Sequence, residues 1–180
     1  MTAEPEASSP LTSTTPNRSG DADRLLGIYL ADHRAGADAG LARARRFAAA
    51  NAATFLSDSA RDVCRQIEED VRTLDEIIER LGQRPSRWKI IAARGVEVVG
   101  RLKSNGRLMG YSPLSRLIEL ELLIAGILTK ESLWQTLAVV QQNRPELSGF
   151  NFDDLGRRAM QQRVQLESHR TPTANEAFAR

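Results

Sequence analysis

The chain is poor in the residues on which metal and redox chemistry draw, with one cysteine and two histidines in 180 residues. A single thiol excludes an internal disulfide and any thiolate-rich metal site. Cys64 stands beside Val63 and Ile67 on a helical pattern, where a buried or half-buried thiol with no neighbouring base is unreactive. Leu30 and Leu166 occupy the positions three before His33 and His169, so the Glu-x-x-His elements of a di-iron or di-manganese bundle are absent. Glu167-Ser168-His169 comes closest, at a spacing that does not share one helical face. Long apolar runs are missing as well. The best, Leu122 to Leu128, includes Gly126 and falls well below the roughly 18 residues of a membrane-crossing helix. Met1-Thr2-Ala3-Glu4-Pro5 offers no basic stretch followed by an apolar one, so the expected location is cytoplasmic. Nucleophile motifs, phosphate loops, strand-like alternation and internal repeats are lacking too.

What remains is apolar residues at helical spacing, 41% hydrophobic content in a length suited to one domain. Residues 1–21, rich in Ser, Thr and Pro, read as a disordered tail. A single helical-bundle domain follows over 22–170, and 171–180 reads as a flexible end. The first helix starts near Asp21 or Asp23 and carries Leu26, Leu30, His33, Ala37, Gly40, Ala44 and Phe47 at spacings of four and three. A second starts after Ser57 or Asp58 and carries Ala60, Val63, Ile67, Asp70, Leu74, Ile77 and Leu81, widened by Val71 and Ile78. Gly82 stops it. The short connection makes these two an antiparallel hairpin, with His33 level with Leu74 and Asp75.

Pro85 and Ser86 open a third helix with Trp88, Ile91, Val98 and Leu102 on one side, ending at Asn105-Gly106. Ser112-Pro113 caps a fourth, apolar almost all round and therefore central. Thr129 then caps a short helix with Leu133, Trp134, Leu137 and Val140, closed by Pro145. Asn151 or Asp153 opens a last one with Leu155, Ala159, Met160, Val164 and Leu166 inward. The fold class predicted is all-α: an antiparallel bundle of four long helices plus one or two shorter ones.

Three ionisable side chains fall on apolar lines of this pattern: His33, Asp70 and Glu121, the last on the line Leu114, Leu117, Glu121, Ile124, Leu128. Burying such groups costs several kcal/mol unless each is partnered. Asp70 and Glu121 would pair with Arg94, Arg101 or Arg116 in a network that fixes helix register. The sharper alternative is an internal site in which His33, Asp70 and Glu121 hold a single divalent transition metal. Acid–base catalysis by the same groups requires a pocket and shifted pKa values, and no reaction class can be named.

The net charge of +2 argues for no partner, but its distribution is uneven. Residues 84–107 hold seven basic side chains against Glu97 alone, whereas Asp58 to Arg80 holds eight acidic residues and four arginines. Adjacent elements of opposite sign suit each other within one fold. Alternatively, the basic segment with Trp88 contacts nucleic acid or an acidic membrane surface. In the connection to the fourth helix, Arg101, Lys103, Arg107, Tyr111 and Arg116 are candidate contacts to an anion or an acidic partner.

Three stretches, Tyr29-Leu30-Ala31-Asp32-His33-Arg34-Ala35-Gly36, Gly100 through Leu117, and Glu119-Leu120-Glu121 with Trp134 beyond, resemble an uncharacterised actinobacterial family of small all-helical proteins. The resemblance spans about residues 23–170. It implies a compact helical fold, distantly ferritin-like, without an activity to transfer, and the missing Glu-x-x-His elements depart from ferritin-like metal sites. The sequence is therefore read as a non-enzymatic helical bundle acting as a protein-interaction or structural module, through an unknown protein partner or self-association. A module binding a metal or small ligand at His33, Asp70 and Glu121 is the alternative.

Overall fold

A computed structural model of the chain describes residues 18–83 and 111–179. Among them are α1 (Arg18–Ala50), α2 (Ser57–Arg80), α3 (Pro113–Gln141), a 3-10 turn (Pro145–Leu147) and α4 (Phe152–Phe178), with no strand. The fold is all-α. The predicted tail before residue 18 and the predicted helix between Pro85 and Asn105 lie outside the described residues.

The second helix matches its pattern closely. Ala60, Val63, Ile67, Asp70, Val71, Leu74, Ile77 and Ile78 are all buried, and Gly82 takes φ +63°, the left-handed conformation that ends a helix and favours glycine. On α1, Leu30, Ala44 and Phe47 are buried as the spacing requires. Arg34 bonds Asp75 and Arg45 bonds Glu68 across the hairpin, so numbers rise on one helix as they fall on the other. That register sets His33 beside Leu74 and Asp75, as predicted.

Boundaries differ at several places. Helix α1 begins at Arg18, before either aspartate proposed as its cap, and Asp23 instead pairs with Arg144. The two helices expected on either side of Thr129 are one continuous helix of 29 residues. Thr129 Oγ1 donates to the Ala125 carbonyl at 3.1 Å, which satisfies the hydroxyl within the helix and removes the reason to cap there. The end capped by Ser112 is as read: its side chain accepts from the Ser115 N–H, with Pro113 at the first helical position. Asn151 caps α4 by accepting from the Asp154 N–H at 3.1 Å. Helix α4 then runs through Pro172 to Phe178, beyond the boundary expected at residue 170. Thr173 is fully buried and Arg116 ties Glu176 down, which offsets the hydrogen bond that proline removes. Met160 and Val164, expected inward, are exposed, and Gln162 is buried in their stead.

Helix α3 packs most extensively on α4 and α1 on α2, while α3 also meets α1. The shared core is centred on Trp134, Phe47, Leu30, Leu56, Ile77, Leu120, Leu137 and Leu166. Burying each large aliphatic there contributes about 1.5–3 kcal/mol. By length and composition α3 is also long and apolar enough to cross a membrane, which run length alone had excluded. Four of its five charged residues, however, are tied to the other helices: Arg116 to Glu176 and Glu131 to Arg163 on α4, Glu119 to Arg46 on α1, and Lys130 to Asp70 on α2.

Candidate functional site: a groove between three helices

Helix α1 is narrow in its middle, where Gly36, Ala37 and Gly40 leave little side-chain volume. Opposite it stand Ile67, Asp70, Val71 and Leu74 of α2 and Leu123, Gly126, Ile127, Lys130 and Trp134 of α3. Between them lies a largely apolar groove of about 350 Å³, with Asp32 and His33 also on its wall. A β-carbon added at Gly36, Gly40 or Gly126 would meet no atom within 4 Å.

Asp70, only 3% exposed, is the hub of the groove's polar end. Its Oδ2 accepts from Lys130 Nζ at 2.5 Å and from Gln162 Nε2 at 3.1 Å. Lys130 also donates to Gln162 Oε1 at 2.5 Å, closing a ring across α2, α3 and α4. Arg158 donates to Asp70 Oδ1 and lies 3.8 Å from Glu69. Burial lowers the Lys130 pKa, opposed by the Asp70 charge. His33 is half-buried with the Tyr29 ring edge-on at 4.5 Å between centroids. Burial lowers its pKa too, and Asp32 acts in the opposite direction.

Of the three residues proposed as an internal site, His33 and Asp70 line this groove, without a hydrogen bond between them among the described residues. Glu121 does not; it is exposed. The buried line of α3 runs through Arg116, Leu120, Leu123, Ile127 and Trp134, about 100° around the helix from the line predicted, of which Leu117 alone is buried. Both faces of α3 are apolar, so periodicity could not choose between them. Glu119, on the far side, is the carboxylate that is buried, paired with Arg46 through Oε1. Among the described residues Asp70 is held by Lys130, Arg158 and Gln162 and not by Arg116, while Arg94 and Arg101 lie outside the described residues. The metal set of His33, Asp70 and Glu121 is thus not assembled, and no three His, Cys, Asp or Glu side chains among the described residues form a group able to hold a metal ion.

Arg101, Lys103 and Arg107 lie outside the described residues, as does the whole basic stretch 84–107. Of Tyr111 and Arg116, grouped with them as contacts for an anion or an acidic partner, Arg116 turns inward, while Tyr111 is 39% exposed with only its hydroxyl bonded inward. Asn51, fully buried, donates to the Tyr111 hydroxyl at 2.8 Å and accepts from Arg116 Nε at 2.7 Å. Arg116 Nη1 also bonds Glu176 at 2.5 Å. Desolvation pushes the Tyr111 phenol up to about 12, against the hydrogen bond from Asn51. This cluster joins the end of α1 to α3 and α4 and leaves Arg116 9% exposed, committed to internal partners.

Two features escaped the sequence reading. Ser59 Oγ sits 2.8 Å from His169 Nε2, the separation of a nucleophile and its base. Among the described residues no carboxylate orients the other ring nitrogen, and neither residue lines the groove, so the pair serves as a tie between α2 and α4. The second is Trp134. It is 1% exposed, and its indole Nε1–H has no partner among the described residues. Buried tryptophan normally finds one, and a buried donor left unpaired costs roughly 1–3 kcal/mol. Cys64 is half-buried, as read, and burial raises its pKa. Compared with family models, curated proteins and solved structures, the chain matches none.

Proposed function

We propose that the chain is a non-enzymatic helical module that binds a small, largely apolar ligand in the groove between α1, α2 and α3. An antiparallel arrangement of its long helices is part of this reading, supported by the pairings of Arg34 with Asp75, Arg45 with Glu68, Glu131 with Arg163 and Arg116 with Glu176. The observation that carries the proposal is open volume kept open by glycine. Protein interiors leave few voids larger than a water molecule, whereas ligand pockets start at roughly 300 Å³, and this groove holds about 350 Å³. Glycine within a helix costs about 0.5–1 kcal/mol relative to alanine. Gly36, Gly40 and Gly126 all stand on the groove where a methyl would touch nothing, so the chain forgoes stability to preserve space. Catalysis finds no support in the geometry, because Asp70 is saturated by three donors.

The test is titration with the apolar fluorophore N-phenyl-1-naphthylamine. The parent protein should bind it saturably. Gly40→Leu and Gly126→Leu fill the groove without backbone strain, and should keep or raise the melting temperature while weakening binding at least tenfold. Unchanged affinity in both variants overturns the proposal.

A second reading, in which the chain meets a protein partner or another copy of itself, rests on the outer face of α3. Leu114, Ile118, Leu128 and Val139 are 45–64% exposed there and fall on one stripe. Sedimentation velocity over a hundredfold concentration range checks self-association, and a constant monomer value counts against it.

A further inference from the structure

We infer that the ligand of the groove is an amphiphilic organic cation, an amine whose protonated head meets the carboxylate of Asp32 while its apolar body fills the hollow. The inference rests on the groove being a ligand site and names the chemistry of what enters it. Asp32 and His33 both stand on the groove wall, and among the described residues neither side chain makes a hydrogen bond or an ion pair. The neighbouring cations are committed elsewhere: Arg34 to Asp38 and Asp75, Lys130 and Arg158 to Asp70. Asp32 therefore keeps a charge that no described residue neutralises. Residues 32, 36 and 40 follow at intervals of four, so they share one side of α1. Gly36 and Gly40 present no side chain, and Asp32, exposed to solvent, stands at the end of the strip they leave bare. A guest lying along that strip keeps its head at the rim, which spares it most of the cost of burying a charge.

Charge decides among the possible heads. A carboxylate would be repelled by Asp32 and would find Lys130 and Arg158 already paired. A metal ion needs several ligands, and no three His, Cys, Asp or Glu side chains among the described residues form a group able to hold one. An uncharged hydroxyl gains nothing from the charge of Asp32. An ammonium carries the opposite charge and three donors. Asp32 accepts from it as a carboxylate, and the imidazole of His33, which burial holds neutral at neutral pH, offers an acceptor nitrogen with no charge to oppose the guest. The apolar body then lies against Val71, Leu74, Leu123 and Ile127.

Octylamine, octan-1-ol and octanoate share a chain length and differ in the head, and at neutral pH the first is a cation. Their dissociation constants are measured by isothermal titration calorimetry on the full chain, on Asp32→Asn and on Asp38→Asn. The last removes an exposed charge of the same helix that does not line the groove. Because an exposed carboxylate attracts a cation only modestly, octylamine should bind about fivefold more tightly than octan-1-ol, with octanoate the weakest. Asp32→Asn should abolish the preference for octylamine and leave the affinity for octan-1-ol unchanged, whereas Asp38→Asn should preserve both. Octylamine binding no better than octan-1-ol, or preferred to the same extent in Asp32→Asn, overturns the inference, and Asp32 is then a solvated surface carboxylate. If octan-1-ol and N-phenyl-1-naphthylamine still bind in that case, the groove remains a ligand site and only the head-group assignment falls. If none of the three binds and N-phenyl-1-naphthylamine also fails, the groove itself is not a ligand site and both readings fall.

Discussion

Asp70 shows how one buried charge organises its surroundings. Removing one member of a buried ion pair leaves the other uncompensated, at a cost of about 3–5 kcal/mol, whereas replacing a pair by well-packed apolar residues is often neutral. Asp70→Asn should therefore destabilise by roughly that amount, because Lys130 and Arg158 both lose their counter-charge. The double variant Asp70→Leu with Lys130→Met should lose less than the sum of its single changes. Urea unfolding of the parent and the four variants checks both statements. His33 makes a second prediction, about pH. Its folded pKa lies below 6.5, so between that depressed value and 6.5 the unfolded chain binds more protons than the folded one. Stability then rises with pH through this window, is complete above 6.5, and is lost as the solution is acidified. The groups around His33 are Asp32 and Tyr29 on its own helix and, on the facing walls, Asp70 and Lys130. Subtracting the pH profile of melting temperature for His33→Gln from that of the parent should isolate this slope. A flat difference between pH 5 and 7 would refute it.

Among the elements, α2 was legible because its apolar and charged residues fall on opposite faces, so one stripe alone could be buried. The stop at Gly82 was equally plain, and it carries a prediction. A β-carbon there meets no neighbour but must accept φ +63°, so Gly82→Ala should cost about 1–2 kcal/mol in thermal or chemical unfolding through backbone strain alone. Helix α3 was not legible in the same way. Apolar residues occupy both of its faces, and the choice between them is made by Arg116, Glu119 and Lys130, whose partners are Asn51, Arg46 and Asp70. Those partners sit some 60 or more residues away along the chain, where no local pattern reaches. The end of α4 was missed for a related reason. Pro172 is a valid stop signal locally, and only the burial of Thr173 and the hold on Glu176, both tertiary effects, carry the helix past it.

For the whole molecule, connectivity among helices sets the order in which it opens. The pair α3 and α4 shares the most extensive contact and three polar ties, through Lys130, Glu131 and Arg116. The first turns of α1 have Leu25 58% and Ile28 41% exposed. Native-state hydrogen exchange should therefore find the slowest amides around Leu120 to Leu137 and in the facing turns of α4, and the fastest before Leu30. Uniform protection along α1 would contradict this order. The groove was half-visible in the sequence: Ala37 and Gly40 fell on the seam of α1, and His33 and Asp70 stood out on apolar lines, but as members of a polar network or metal site rather than as the wall of a hollow. That a hollow is left between α1 and α2 depends on α3, whose orientation could not be read.

The glycines of that hollow set two properties against each other. At residues 36, 40 and 126 a larger side chain has room to grow and brings a better helix former with it. On the proposed reading, the same three positions thus set both the room for a guest and the soundness of the scaffold, in opposite directions. If the groove takes a guest as proposed, a lineage built on this chain can drift from longer to shorter guests by single substitutions, with every step along the way still folded.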